Sequence, residues 1–395
     1  MSAILEGIRV LDFGRYVAGP YCATLLGYLG AEVIRIEKRD GGEDRYIAPV
    51  GKEGEGGLFF QTSCNKLSFT LDPTTPDGRE IVQRLVTTAD VVVANLPEKA
   101  LTAMGLDYET LKAQKPEIVL TTVSGFGSSG PDKNRGAFDG IGQALSGAMA
   151  MTGTPGKPAK AAAPYVDFCT AVLAAFGTLA ALMHRQQTGE GQHVEATLLG
   201  TSLSVFASHL VEQGVAGLNR EGTGNRVQTS APSDVFQTSD GRHLLIHTVG
   251  NNLFRRWTNL VGEPGWAGDR RFATDQSRGD HRDVLCERMA EWCAVRDQAQ
   301  ALEELGRAGV PAGPVLTLQE ALDNPQAAAM EFFKMVDYPG LPRPAPVPDL
   351  PLKFSATTGG IDRRPPRLSE HTEQILKDLG YDAAGIATLK VKNVI

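Results

Sequence analysis

Short apolar blocks alternate with polar turns in a regular order along the first 125 residues. Five of these blocks have the length and composition of buried strands: GIRVLDF, AEVIRIEK, KLSFTLD, ADVVVANL and PEIVLTTVSGFG. Two segments between them, GPYCATLLGYLG and GREIVQRLVTTA, have helical patterns. Because the first strand, helix and second strand fill about thirty residues, they predict one βαβ unit with parallel strands and a right-handed crossover. The pattern predicts an α/β fold with a doubly wound, Rossmann-like large domain.

A change in composition marks a second domain. Residues 214–229 are rich in Gly, Asn and Arg, which indicates a linker, and SDVFQTSDGRHLLIHTV then predicts a β-hairpin turning at residues 239–241. Helical patterns follow, and the segment LPRPAPVPDLPLKF is Pro-rich and extended. We therefore expect a large α/β domain over residues 1–215, a smaller α+β domain over 216–330 and a C-terminal segment over 331–395.

Composition and charge narrow the class of protein. The chain has 395 residues, 42% of them hydrophobic and 22% charged, as in ordinary globular proteins. Its formal net charge of −7 gives no reason to expect nucleic acid or an anionic membrane as a partner. No secretory signal is evident, and the longest apolar stretch, residues 171–183, is shorter than the roughly 20 residues that span a bilayer. The five cysteines form no CxxC pair and no metal spacing, so we expect reduced thiols in a cytoplasmic protein without a metal site.

Asp167 is the candidate catalytic residue. It lies in APYVDF, just ahead of the Ala- and Leu-rich segment CTAVLAAFGTLAALMHRQQTG, which predicts a helix ending at Gly189. We therefore expect Asp167 at or near the N-cap, where first-turn N–H groups and the helix dipole favour an ionised carboxylate. Such a carboxylate is a poor base at neutral pH but can attack an activated acyl group. Because Asp is a common capping residue, position alone leaves a purely structural role open.

Several blocks in one order resemble the family III CoA transferases, the group that contains formyl-CoA transferase and carnitine-CoA transferase. The blocks that carry the resemblance are LDFGRYVAGPYCATLLGYLGAEVIRIEK, SCNKLSFTLD, ADVVVANL with MGLDYETL, SGFGSSGP with FDGIGQALSGAM, VDFCTAVLAAFGTLAAL with TGEGQHVEATL, APSDVFQTSDGRHLLI with RRF, and AGVPAGPV. They extend along nearly the whole chain. The resemblance implies an enzyme that uses a CoA thioester and a carboxylic acid as substrates, with no tightly bound cofactor and no metal.

The resemblance also implies a mechanism. An aspartate at the position of Asp167 attacks the thioester carbonyl and forms an aspartyl-acyl anhydride, which CoA thiolate converts to an aspartyl-CoA thioester. Because an ordinary Asp has a pKa near 3.9, we expect Asp167 to be ionised at pH 7 without help from a base. The tetrahedral oxygen needs N–H donors, and we expect the helix N-terminus to provide them.

By the same resemblance, nine residues would face CoA, and most follow the carboxyl ends of strands, where open α/β sheets bind ligands. Lys38 and Lys66 would offer point charges to phosphate. The nine are Val17, Ala18, Lys38, Asn65, Lys66, Asn95, Leu96, Phe138 and Asp139. The resemblance further implies an interlocked homodimer in which each chain passes through a ring made by the other. In that architecture the C-terminal segment returns to the large domain.

The chain departs from the family pattern at two places. Ala103 stands where the family often has an Arg, so Lys99 or Arg135 would have to replace a phosphate contact. The glycine-rich loop of formyl-CoA transferases is replaced by TVGNNLF, so oxalate and formate specificity cannot be assumed. We expect small dicarboxylic acids instead.

Other functions stay open from the sequence. An intramolecular transfer of the mesaconyl-CoA type uses the same chemistry. An α-methylacyl-CoA racemase needs a His/Asp pair, but Phe138 stands at the histidine position and cannot exchange a proton. The intact Asp167 argues against a CoA-binding protein without activity.

Overall fold

The computed structural model describes residues 3–52 and 54–395. Its main sheet has six parallel strands in the order β3-β2-β1-β4-β5-β6. The strands are β1 (Arg9–Asp12), β2 (Glu32–Glu37), β3 (Lys66–Thr70), β4 (Val91–Ala94), β5 (Val119–Ser124) and β6 (His193–Thr197). The parallel α/β fold and the five strands predicted in the first 125 residues are confirmed.

Helices cover both faces of this sheet, which explains why its inner strands are apolar on both sides. Successive residues point to opposite faces: Val91 and Val93 pack in one apolar core, and Val92 and Ala94 in the other. The helices are α1 (Ala18–Tyr28), α2 (Gly57–Ser63), α3 (Pro76–Thr88), α4 (Glu98–Met104), α5 (Tyr108–Gln114), α6 (Asp139–Leu145), α7 (Ala148–Met151), α8 (Tyr165–Thr188), α9 (Leu198–Val205), α10 (Ala207–Ala216), α11 (Asn251–Leu260), α12 (Asp275–Asp280), α13 (Arg282–Ala294), α14 (Gln298–Ala308), α15 (Leu318–Leu322), α16 (Pro325–Ala329), α17 (Thr372–Asp378) and α18 (Ala383–Val391).

Helix α8 is longer than its apolar stretch suggests. It has 24 residues and is long and apolar enough to cross a membrane by length and composition alone, contrary to the estimate from residues 171–183. However, α8 packs against α1, β5 and β6, and Ala171, Ala174 and Ala181 are fully buried in the core. It is therefore a core helix of the main α/β unit.

The chain forms two compact units. The larger consists of Met1–Ser146, Ala162–Leu210 and Pro325–Ile395, and the smaller of Gly147–Ala161 and Val211–Asn324. Residues 147–161 thus belong to the smaller unit, although the boundary expected at 215 places them in the large domain. The smaller unit contains the antiparallel strands β7 (Asp234–Gln237), β8 (His243–Ile246) and β9 (Ala312–Pro314), and β7 and β8 form the predicted hairpin.

The C-terminal segment packs on the larger unit. Strands β10 (Phe333–Val336) and β11 (Ala345–Pro348) pair with each other. The start of α17 lies along β3, where the main-chain N–H of Ser68 donates to His371 Nδ1 (3.2 Å) and that of Thr70 to Thr372 Oγ1 (3.0 Å). Ile375 and Ile386 then enter the core beside α3.

Candidate active site

The strand order changes direction between β1 and β4, so the loops that follow these strands diverge and leave a crevice. Asn95, just after β4, holds the loop after β1: its Oδ1 accepts from the Arg15 N–H (2.7 Å) and its Nδ2 donates to the Arg15 carbonyl (2.8 Å). The next residue, Tyr16, has a φ of 61°, an uncommon conformation for a residue other than glycine. Such conformations persist only where neighbouring contacts hold them, and they cluster at functional sites.

A pocket lies at these carboxyl ends of the strands. It contains Lys38 and Leu96 from the predicted CoA set, together with the exposed Arg15. The other lining residues are Phe13, Gly14, Arg35, Ile36, Glu37, Gly42, Asp44, Leu71, Pro73 and Met104. A second, more open depression of about 490 Å³, lined by Arg364 and residues of 337–344, contains none of the predicted site residues. The pocket beside Arg15 is therefore the candidate CoA site.

Buried ion pairs line one side of this pocket. Arg35 donates to Asp44 (2.6 Å), and Arg45 donates to Glu37 (2.7 Å). Burial alone would raise the pKa of Glu37, but Arg35 and Arg45 bring it down to about 2. Glu37 occupies the position of the ribose-binding acid in dinucleotide folds, yet both of its oxygens accept from Arg45. It is a structural residue of this wall.

Asn65 and Lys66 are not in the pocket. They lie at the start of β3, whereas the pocket lies at the strand ends. Lys66 is completely buried, and its Nζ donates to Asp12 Oδ2 and to the Pro20 carbonyl, both at 2.7 Å. Asn65 is hydrogen-bonded to the main chain of Gly27 and of residues 360–363. Both side chains hold the fold together, because a buried ammonium without a partner would be very unfavourable.

The loop after β1 lies next to three further predicted residues, Val17, Ala18 and Phe138, and Lys38 follows β2. Val17 is the N-cap of α1 and Ala18 its first residue, and both side chains are buried in the fold. Lys38 is half-exposed and pairs with Glu43 (2.6 Å). Phe138 is 63% exposed, and its ring contacts Tyr16 edge-on at 5.5 Å. Phe138 thereby brings the start of α6 next to the loop that borders the pocket.

Asp167 is not the N-cap of α8. The cap position is Pro164, and Asp167 is the third helical residue, so it lies near the N-cap, as expected, without occupying it. Asp139 performs the capping instead: its Oδ2 accepts from the N–H groups of Val166 (2.7 Å) and Asp167 (3.2 Å). Asp139 is nearly fully buried, and its other oxygen accepts from Gln143 Nε2. Each carboxylate oxygen of Asp139 therefore has a partner within the chain, although Asp139 was predicted to face CoA.

The environment of Asp167 alters its acidity. Its side chain is half-buried, and burial together with the charge of Asp139 raises the pKa of the Asp167 carboxyl to about 7. The expected pKa near 3.9 is therefore wrong, because the residue lacks the cap bonds that would have stabilised its charge. At neutral pH both the carboxylate and the carboxylic acid are populated.

Sequence reasoning missed Arg15 as a residue of this site and missed the capping role of Asp139. Arg15 follows β1 directly at the change in strand order, and that position was the available signal. Asp139 lies 27 and 28 residues before the two residues whose N–H groups it caps, and no local sequence pattern reveals such a pairing. In residues 3–52 and 54–395, no group of three or more His, Cys, Asp or Glu side chains is placed to hold a metal ion.

Comparison with known proteins identifies relatives of this chain. The model of the family described as CoA-transferase family III matches residues 5–372. The succinyl-CoA–D-citramalate CoA-transferase of Chloroflexus aurantiacus is 36% identical over 99% of this chain and 98% of its own. The succinate–glutarate CoA-transferase of Agrobacterium fabrum is 34% identical over 95% of each. A solved structure of a CaiB/BaiF family protein from Brucella suis has a TM-score of 0.83 and 32% identity, covering 96% of this chain and 100% of that one.

Proposed function

Because the chain belongs to CoA-transferase family III, we propose that it moves CoA between small carboxylic acids with Asp167 as the nucleophile. The observation that carries this proposal is the position of Asp167: its carboxyl is half-buried at the start of α8, and residues 138–139 connect it to the loop beside the pocket. The relatives named above act on succinate, D-citramalate and glutarate, which supports small dicarboxylic acids as substrates.

The chemistry uses one carboxylate and the substrates. An Asp167 oxygen attacks the thioester carbonyl, the C–S bond breaks, and CoA leaves as the thiolate while an anhydride forms. The thiolate attacks the aspartyl carbonyl, the donor acid leaves as a carboxylate, and an aspartyl-CoA thioester remains. The acceptor carboxylate attacks this thioester and expels thiolate, which then attacks the acceptor carbonyl and restores Asp167. No electron or net proton is exchanged, so this sequence requires no redox cofactor.

We propose that phosphate groups of CoA bind at the edge of the pocket beside Arg15. The guanidinium of Arg15 and the ammonium of Lys38 are the exposed cations of the pocket, and phosphate groups are their natural partners. The partly exposed Leu96 provides apolar surface beside them. Since Met104 lies next to Ala103, we propose that Arg15 supplies the charge that the family Arg would have brought there.

A homodimer and a cytoplasmic location belong to the same proposal. Helix α8 leaves Val172, Leu173 and Phe176 exposed, with Phe176 at 70%, although the opposite side of the helix is buried in the core. Exposed apolar side chains on a core helix support a protein interface, and we propose a second copy of this chain as the occupant. The free cysteines, four of them buried, agree with a reducing compartment.

Trapping of the covalent intermediate tests the function. The protein is incubated with succinyl-CoA alone and treated with hydroxylamine or borohydride, and the modified residue is located by mass spectrometry. We expect modification at Asp167 in the native chain and none in Asp167→Asn. A panel of acceptor acids then defines specificity and separates intermolecular from intramolecular transfer. Exchange of the α-hydrogen with deuterated water, without any trapped adduct, would instead support a racemase.

A further inference from the structure

We infer that Asp139 is a positioning residue for the transfer reaction: as the cap of α8, it fixes the main chain of Asp167 and sets the charge beside the nucleophile. This inference rests on the proposed function of Asp167. It assigns Asp139 a role in catalysis other than contact with CoA.

The hydrogen bonds of Asp139 fix the nucleophile directly. Its Oδ2 accepts from the Asp167 N–H itself and from that of the preceding residue. Gln143, one turn later in α6, donates to the other carboxylate oxygen and thereby orients the cap. Because the main chain of Asp167 is held in this way, the Cα–Cβ bond of the nucleophile has one direction. A Ser or Asn at position 139 could retain a cap bond, but neither would carry the charge.

The Asp139 cap also occupies N–H donors at the start of α8, which are then not free to bind a ligand. The N–H groups of Val166 and Asp167 donate to Asp139, that of Tyr165 donates to the Ala163 carbonyl (2.9 Å), and that of Phe168 to the Pro164 carbonyl (3.2 Å). All four N–H groups of residues 165–168 therefore have partners within the chain. The expectation that this helix end stabilises the tetrahedral oxygen is thus not supported. The cap acts on the nucleophile itself.

Asp139 is the charged group that dominates the surroundings of Asp167. Among the elements packed against α8, helix α1 carries Tyr21, Cys22 and Tyr28, and α6 carries Asp139. Strand β6 carries His193, bonded to Thr122, and Glu195, bonded to Ser128, whereas β5 and α9 carry no titratable side chain. On α8 itself, Tyr165 and Cys169 are the titratable neighbours. The charge of Asp139 therefore opposes ionisation of Asp167 and makes its carboxylate more basic and more nucleophilic.

Variants with a neutral residue at position 139 separate the effect of the Asp139 charge from the effect of its hydrogen bonds. Asp139→Asn and Asp139→Ser retain an acceptor for the helix N–H groups, so both variants are expected to fold. The single-turnover rate of Asp167 modification by succinyl-CoA is measured from pH 5 to 9. Removal of one neighbouring charge lowers the inflection by about one pH unit, and the less basic carboxylate reduces the plateau rate by about tenfold. Asp107→Asn is the matched control: Asp107 caps α5, which packs in the core on the other face of the sheet.

The outcomes are distinguishable. If the native chain forms the adduct and both neutral-cap variants reproduce its inflection and plateau, the Asp139 charge does not act on the nucleophile and the inference is wrong. If the native chain forms no adduct at Asp167, the proposed function fails and this inference fails with it. A lowered inflection in both variants, with an unchanged profile in Asp107→Asn, supports the inference.

Discussion

Asp167 is half-buried beside another carboxylate, and burial followed by the Asp139 charge raises the pKa of its carboxyl to about 7. In the unfolded chain the same group titrates near pH 3.9. As pH rises from about 4 to 7, the unfolded chain loses its proton while the folded chain keeps it, so the folded state loses stability over this interval. Ionisation of Asp167 therefore lowers the stability of the folded state.

Replacement of Asp167 tests this coupling. We expect Asp167→Asn to melt at a higher temperature than the native chain at pH 8 and at nearly the same temperature at pH 4.5, because Asn has no charge to bury. Thermal unfolding at a series of pH values measures the difference. An equal difference at both pH values would contradict a raised pKa.

Arg15 and Lys66 both lie in the sequence blocks that resemble the family, but we expect them to bind different partners. We expect Arg15→Ala to raise the KM for succinyl-CoA about 10- to 150-fold with little change in kcat or stability, because a charge-assisted contact of about 1.5–3 kcal/mol is lost. Lys66→Met should instead destabilise the fold by about 3–5 kcal/mol, since it leaves Asp12 buried without its partner. Steady-state kinetics and urea unfolding of both variants distinguish the roles. A large KM effect in a stably folded Lys66→Met would show that Lys66 reaches CoA.

At the scale of elements, the strands of the main sheet could be predicted because each is a short apolar run bounded by turns. The start of α8 could not, because its cap comes from α6 and is a tertiary contact. For the same reason Lys66 resembles a surface lysine in the sequence, and only its contacts with Asp12 and the Pro20 carbonyl show that its ammonium is buried. The strand order places Lys38 and Leu96 at the carboxyl ends of strands, where the pocket lies, and their contact with CoA stays a prediction.

The contact between the C-terminal segment and β3 depends on pH. Burial lowers the pKa of His371, whose Nδ1 must be unprotonated to accept from the Ser68 N–H. A His with a lowered pKa stabilises the fold fully above its unfolded pKa of about 6.5 and loses that contribution as pH falls below it. We therefore expect the native chain to lose more stability between pH 7 and 5 than His371→Asn, whose amide oxygen can accept at any pH. Hydrogen exchange of residues 361–395 at the two pH values measures whether this segment opens.

At the scale of the whole molecule, the exposed side of α8 allows a test of the proposed dimer. We expect Phe176→Glu to halve the mass measured by light scattering after size exclusion, because a buried carboxylate at an interface is strongly unfavourable. Val391→Glu, at an equally exposed apolar position of α18, provides the control and should leave the mass unchanged. A native chain that is already monomeric at micromolar concentration would contradict the proposed dimer.

The occupied amides at the start of α8 have a consequence for the order of turnover. Carboxylic acids are anions near neutrality, and the backbone groups that would attract them to this helix end are already satisfied within the chain. Free succinate or citramalate should therefore have weak affinity for the resting enzyme at this point. In the proposed mechanism the second acid reacts only after the first has departed and CoA is bound to Asp167 as a thioester, so double-reciprocal plots should give parallel lines.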